Sequence, residues 1–167
     1  MIAAITAMAA AVTCLLPPVD APIHRPFVEP ACQWCPGHRG VEYATRPGLP
    51  VRAAADGRVT FAGRVAGVQY VVLQHPGGLR TTYGQLAPSP NPVREGVSVR
   101  RGAVVGTTGG ALHFGLRAGD RYLDPVPWLA ARVGRPRLVP ESGASRRKGG
   151  EARLSCPAGV RAPGWPR

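Results

Sequence analysis

Lysine is almost missing from this chain: Lys148 is the one lysine among 21 basic residues, while aspartate and glutamate together number nine. Aromatic residues are scarce too, at 6% of 167 positions. Long helices find little support, because 22 glycines and 19 prolines are spread along the sequence and both weaken helix interiors. The longest apolar run, Ile2 to Leu16, stops at Pro17-Pro18 and falls short of the roughly 20 residues that a membrane-spanning helix needs. It suits the apolar region of an export signal instead. Cysteine is limited to Cys14, Cys32, Cys35 and Cys156. The single CxxC therefore has no second pair with which to build a zinc ribbon, and no βαβ pattern follows it as a thioredoxin-like motif requires.

What is present reads as one domain with tails. Residues 1–21 are expected to be an export leader, with an uncleaved membrane anchor as the alternative; Ala11-Val12-Thr13 is a poor lipoprotein signal ahead of Cys14. Residues 22–36 form a proline-rich lead-in, 37–131 the folded domain, and 132–167 a basic tail. That tail has nine basic residues against Glu141 and Glu151, a surplus of seven out of the net +12. Lacking a periodic apolar pattern, it is expected to be a disordered, solvated end that attracts polyanions without specificity, so no specific nucleic-acid partner is implied. Cys32-Gln33-Trp34-Cys35, with His38 close behind, suits a local Cys/Cys/His metal site or, in an exported chain, a small disulfide or two spare thiols. Removal of a leader ending at Ala21 would leave an odd number of cysteines.

From Gly37 onward, short apolar runs are divided by glycine and proline, which predicts an all-β domain, a small antiparallel sheet or barrel-sandwich. Val51–Ala55 and Arg58–Gly63 flank Asp56-Gly57 and read as a hairpin. Gln69–His75 and Leu79–Leu86 make a second pair around Pro76-Gly77-Gly78, and Val97–Val105 holds one or two further strands. Parts of this pattern are similar to the hammerhead of biotin and lipoyl carriers, but a carrier needs a lysine at its hairpin tip and the one lysine lies in the tail.

The chemistry concentrates in two places. His38-Arg39-Gly40-Val41-Glu42 sets an imidazole and a carboxylate four residues apart, facing the same way in extended chain. In Gly109–Arg117, GGALHFGLR, strand alternation puts Leu112, Phe114 and Leu116 on one face and His113 on the other. Two imidazoles and a carboxylate suit tetrahedral zinc with one position left for water, although His-x-x-x-Glu by itself also describes a hydrogen-bonded pair.

GHRGVE, GLPVRAAADGRVTFAG, YVVLQHPGGLRTTYGQL, GALHFGLR and YLDPVPWL, in that order and spacing, resemble the lysostaphin-like (LytM-type) zinc endopeptidases of peptidoglycan over about residues 37–129. The resemblance implies a small antiparallel sheet with a groove, a zinc held by two histidines and an aspartate, and two assisting histidines. By position the ligands are His38, Glu42 and His113, with Glu42 standing where the family has aspartate. The assisting positions hold Gln85, in Tyr83-Gly84-Gln85-Leu86, and Ala111, in Ala111-Leu112-His113. Neither residue moves a proton; Gln85 retains at most a hydrogen bond to a developing oxyanion. His75 remains as a spare imidazole, and His24 has no assigned role.

The resemblance thus implies an exported, envelope-associated monomer of the zinc metallopeptidase family, acting weakly on peptidoglycan stem peptides or cross-bridges. The alternative is a catalytically silent domain that binds peptidoglycan or regulates a wall hydrolase. A third reading leaves these polar residues as remnants on a stable scaffold.

Overall fold

A computed structural model describes residues 14–32, 34–133 and 153–155. Nine strands form one sheet: β1 (Ile23–Arg25), β2 (Val41–Ala44), β3 (Pro50–Arg52), β4 (Gly57–Val65), β5 (Val68–Gln74), β6 (Leu79–Leu86), β7 (Ser98–Val99), β8 (Val104–Ala118) and β9 (Arg121–Leu123). The path runs β1-β2-β8-β6-β5-β4-β7, with β3 and β9 also pairing with β8, and each of these pairings is antiparallel. Helical geometry among the described residues is limited to short 3₁₀ turns at Pro76–Gly78 and Val126–Trp128. The all-β expectation holds.

Strand β8 is the hub because its sequence alternates. Leu112, Phe114 and Leu116 are completely buried, and each contributes about 1.5–3 kcal/mol by leaving water. Ala111 and His113 fall on the opposite side and stay partly accessible. Around the apolar face of β8 the core gathers Val41, Val51, Val59, Leu73, Leu79 and Tyr83 from the other strands of the sheet.

The expected pair around Pro76–Gly78 forms as β5 and β6. The hairpin expected at Asp56-Gly57 does not: β3 leaves for β8, and β4 pairs instead with β5 and β7. The hairpin turn lies at Ala66-Gly67, with φ of 48° and 85°. Alanine rarely takes a left-handed conformation, so this turn carries no conspicuous signature. Asp56 ties strands together in another way, its carboxylate accepting from the Arg101 N–H at 2.7 Å.

Two stretches expected outside the domain touch it. Among the described residues, Cys14 to Val19 pack on the domain, within the span expected to be a leader. Leu15 is 1% exposed; its N–H donates to the Trp128 carbonyl and its own carbonyl accepts from Ala130 N–H, both at 2.7 Å. Leu16 N–H donates to Ala54 O, and Pro18 O accepts from Arg52 N–H, each at 2.8 Å. Val19 joins the same core. An apolar run alone does not reveal whether its last residues leave with a leader or plug a sheet. In the basic tail, β11 (Arg153–Ser155) pairs antiparallel with β10 (Ala131–Val133), a long-range contact that no local pattern announces. The remainder of the tail, like residues 1–13, lies outside the described residues.

Candidate metal centre

The row that matters crosses three strands: Glu42 on β2 stands opposite His113 on β8, which stands opposite Gly84 on β6. His38 enters from the segment before β2, where its backbone bridges Val28 with N–H···O distances of 2.8 and 3.0 Å. Its Nδ1 lies 2.7 Å from the Pro26 carbonyl, which can only accept, so Nδ1 carries a proton and Nε2 is the nitrogen that a neutral ring would offer to a metal. The His38 and His113 rings meet edge-on with centroids 5.4 Å apart. Glycine is required between them in the chain: a Cβ on Gly40 would sit 2.5 Å from the Phe114 carbonyl oxygen and 2.7 Å from His113 Cε1. The fold thus draws His38, Glu42 and His113 into one neighbourhood.

Their electrostatics suit ligands. Burial, reinforced by the His38 charge and opposed by Glu42, holds His113 below the ordinary histidine value, so its ring is neutral near pH 7. Burial pushes the Glu42 carboxyl upward, but a hydrogen bond from Gln85 and the charges of His24, His38 and Arg25 outweigh it, and the group ends below the ordinary glutamate value.

The Glu42 carboxylate is held from two sides. The Gln85 side-chain amide donates to its Oε1. On its other side, Arg25 Nη1 lies 3.7 Å and His24 Nε2 3.8 Å from Oε2. Among the described residues no three histidine, cysteine, aspartate or glutamate side chains already converge as a metal site. The donor set fits zinc in kind, two imidazoles and an ionised carboxylate, with the carboxylate tethered to a neighbour.

Ala111 opens the groove where a histidine would fill it. Its methyl, with Arg64, Gln69, Gln85, Pro88 and Gly109, lines a recess of about 290 Å³ beside the row. His75 does not belong here. It is 3% exposed, with Nδ1 2.7 Å from the Asp56 carbonyl and Nε2 2.7 Å from Thr81 Oγ1, and its role is packing. Cys32 and Cys35 are joined in a disulfide, which removes both thiols as metal ligands, and Cys14 is also disulfide-bonded. Sequence reasoning missed His24 and Arg25. They reach Glu42 because β1 pairs with β2, Arg25 opposite Glu42, with an irregular register at His24. Every residue of that short strand is exposed, so it lacks the alternation that would betray it.

Comparison with known proteins agrees with this geometry. The sequence profile of Peptidase family M23 matches residues 36–125. An uncharacterized protein of Mycobacterium tuberculosis, Rv2891, is 39% identical over 135 residues, covering 73% of this chain and 52% of its own. The DD-carboxypeptidase/endopeptidase Mpg of Neisseria meningitidis serogroup B is 38% identical over 97 residues, 53% of this chain and 22% of that one. The chain therefore spans about half the length of the first relative and about a fifth of the second. Among solved structures, a zinc-containing peptidase from Vibrio cholerae superposes with a TM-score of 0.56 at 27% identity, covering 67% of this chain and 39% of the other. The profile covers more than half of the sequence and contains His38, Glu42, Gln85, Ala111 and His113, and on that ground this chain belongs to Peptidase family M23.

Proposed function

We propose that this domain is a zinc-dependent, peptidase-type module of the bacterial cell envelope that engages peptidoglycan stem peptides or cross-bridges and hydrolyses them weakly. The observation that carries the reading is the placing of Glu42 opposite His113 on adjacent strands, with the His38 ring edge-on to His113, beside an open recess. The family and the peptidase names of its relatives supply the substrate class. Disulfide bonding at Cys14 and between Cys32 and Cys35 supports maturation in an oxidising compartment, which is where an exported protein folds.

His38, through Nε2, together with Glu42 and His113 would hold the metal. When bound, zinc supplies Lewis-acid polarisation of a peptide carbonyl and activation of water. The chain's own residues do the rest incompletely. Gln85 spends one amide N–H on Glu42 and has a second that can donate to a developing oxyanion. Ala111 neither accepts nor returns a proton. Loss of general acid and base assistance lowers rates by about 10²–10⁴. A slow enzyme is the outcome, and a silent peptidoglycan-binding domain is its limiting case.

Digestion of purified peptidoglycan tests this. Slow release of peptide fragments is expected, abolished by a chelator and by His113→Ala and accelerated by Gln85→His combined with Ala111→His. If zinc-loaded protein sediments with peptidoglycan yet releases nothing, even with both histidines introduced, the binding reading replaces hydrolysis.

A further inference from the structure

Gln85 is placed with unusual care for a residue that performs no proton transfer. It occupies the bulge of β6 between Gly84, which pairs with His113, and Leu86, which pairs with Thr108. Its φ is 61°, a left-handed conformation that a non-glycine residue adopts at a cost of about 1–2 kcal/mol. Bulges re-aim side chains. Here the amide is aimed past the His113 strand to the carboxylate of Glu42, on the far side of β8. The first and third strands of such a row are roughly 10 Å apart, so only two long side chains can join hands across it. Glu42 is longer by one methylene than the aspartate expected at its position, and Gln85 supplies a neutral donor where a histidine is expected.

We propose that Gln85 is a positioning residue matched to Glu42: its amide takes up the extra methylene and holds the carboxylate at the edge of the His38–His113 pair, ready to act as third ligand. The two departures from the family pattern are then one compensated change. Arg25 and His24 steady the other carboxylate oxygen, while Gln85 fixes the one nearest β6. The inference rests on the zinc reading of the site and adds to it a stated dependence of position 42 on position 85.

A double-mutant cycle on zinc affinity, measured by competition with a chromogenic chelator, tests the match. In the parent, Gln85→Leu keeps bulk, removes the donor and is expected to weaken zinc by about tenfold, the lower end of what lost outer contacts cost a metal site. In the Glu42→Asp background the carboxylate is too short to reach the amide, and the same replacement is expected to change affinity by less than about twofold. Equal losses in both backgrounds overturn the pairing and leave the zinc reading standing. No zinc uptake by the parent overturns both. Thermal melts in chelator check that each variant folds; should the leucine variant fail, Gln85→Asn tolerates the left-handed backbone while retracting the amide, and the same cycle is read with it.

Discussion

His75, which is buried, and His113, which stays partly accessible, are both held below the ordinary histidine value by burial, yet their surroundings differ. His75 spends both ring nitrogens on neutral partners, the Asp56 carbonyl and Thr81 Oγ1. Thr81 Oγ1 lies 3.1 Å from the Tyr83 hydroxyl, which accepts the Ala54 N–H at 2.8 Å, so a polar chain runs through the core with its members satisfied. His113 has no such neutral chain described around it; its neighbours are another imidazole and a carboxylate. Burial and a shifted proton affinity therefore do not separate a proposed ligand from a structural histidine. The character of the partners does: neutral acceptors and donors fix a tautomer for packing, whereas charged and metal-binding neighbours gather a ligand set.

Exchange of the two roles would break this comparison, and His113→Ala is the most severe test. Zinc affinity is expected to fall on the order of 10²-fold or more, beyond the range for an outer contact, while the melting temperature of the metal-free protein stays close to the parent. Stability is spared because Leu112, Phe114 and Leu116 hold β8 from the opposite face. His75→Ala is expected to do the reverse. It leaves a cavity and strips Thr81 of a partner, costing about 2–4 kcal/mol in urea unfolding with zinc affinity unchanged. A His75 variant that loses zinc, or a His113 variant that loses the fold, would invert the assignment.

The same contrast shows where sequence reading succeeds. Alternation in GGALHFGLR placed Leu112, Phe114 and Leu116 in the core and His113 off it, because a period of two is a local property of a strand. The family motifs named His38, Glu42 and His113 as candidates; the strand order sets Glu42 opposite His113, and the His38 ring meets that of His113 edge-on. Other features depend on contacts between distant segments. Leu15 belongs to an apolar run, and nothing in that run foretells its pairing with Trp128 and Ala130. The Asp56-Gly57 dipeptide looks like a hairpin, yet β3 finds a better partner in β8. His24 and Arg25 look like an unstructured lead-in until β1 docks beside Glu42. The tie between Gln85 and Glu42 spans three strands, and nothing in the spacing of 43 residues foretells it.

Acid sharpens the comparison by a smaller amount. The folded protein holds His75 below its ordinary value of 6.5, so between that value and the lower folded one the unfolded chain binds the extra proton. Stability attached to His75 is therefore complete above about pH 7 and is lost as pH falls through 6.5 toward the folded value. Urea unfolding of the chelated protein between pH 7 and pH 5 is expected to show a falling midpoint. His75→Ala flattens that dependence. A slope that persists undiminished in the variant would assign the titration to another group and remove His75 from the argument.

The smallest effect concerns two tyrosines that repeat the contrast with hydroxyls. Tyr43 follows Glu42 on β2, so alternation turns it to the core side, where it is 3% exposed and its hydroxyl has no hydrogen-bond partner among the described residues. Burial, with Tyr83 nearby, raises its proton affinity well above the ordinary value. Tyr83 is equally buried and is raised to about 12, but its oxygen is partnered by Ala54 and Thr81. Removing an unpaired hydroxyl relieves a desolvation cost, so Tyr43→Phe is expected to leave stability unchanged or raise it by up to about 1 kcal/mol. Tyr83→Phe strands a buried backbone N–H and is expected to cost about 1–3 kcal/mol in the same urea titration. Zinc affinity should hold in the Tyr43 variant despite its place next to Glu42, the proposed ligand, because the two side chains leave opposite faces of the strand. If Tyr43→Phe destabilises as much as Tyr83→Phe, the hydroxyl has a partner, and the core side of β2 is polar where its packing indicates it is dry.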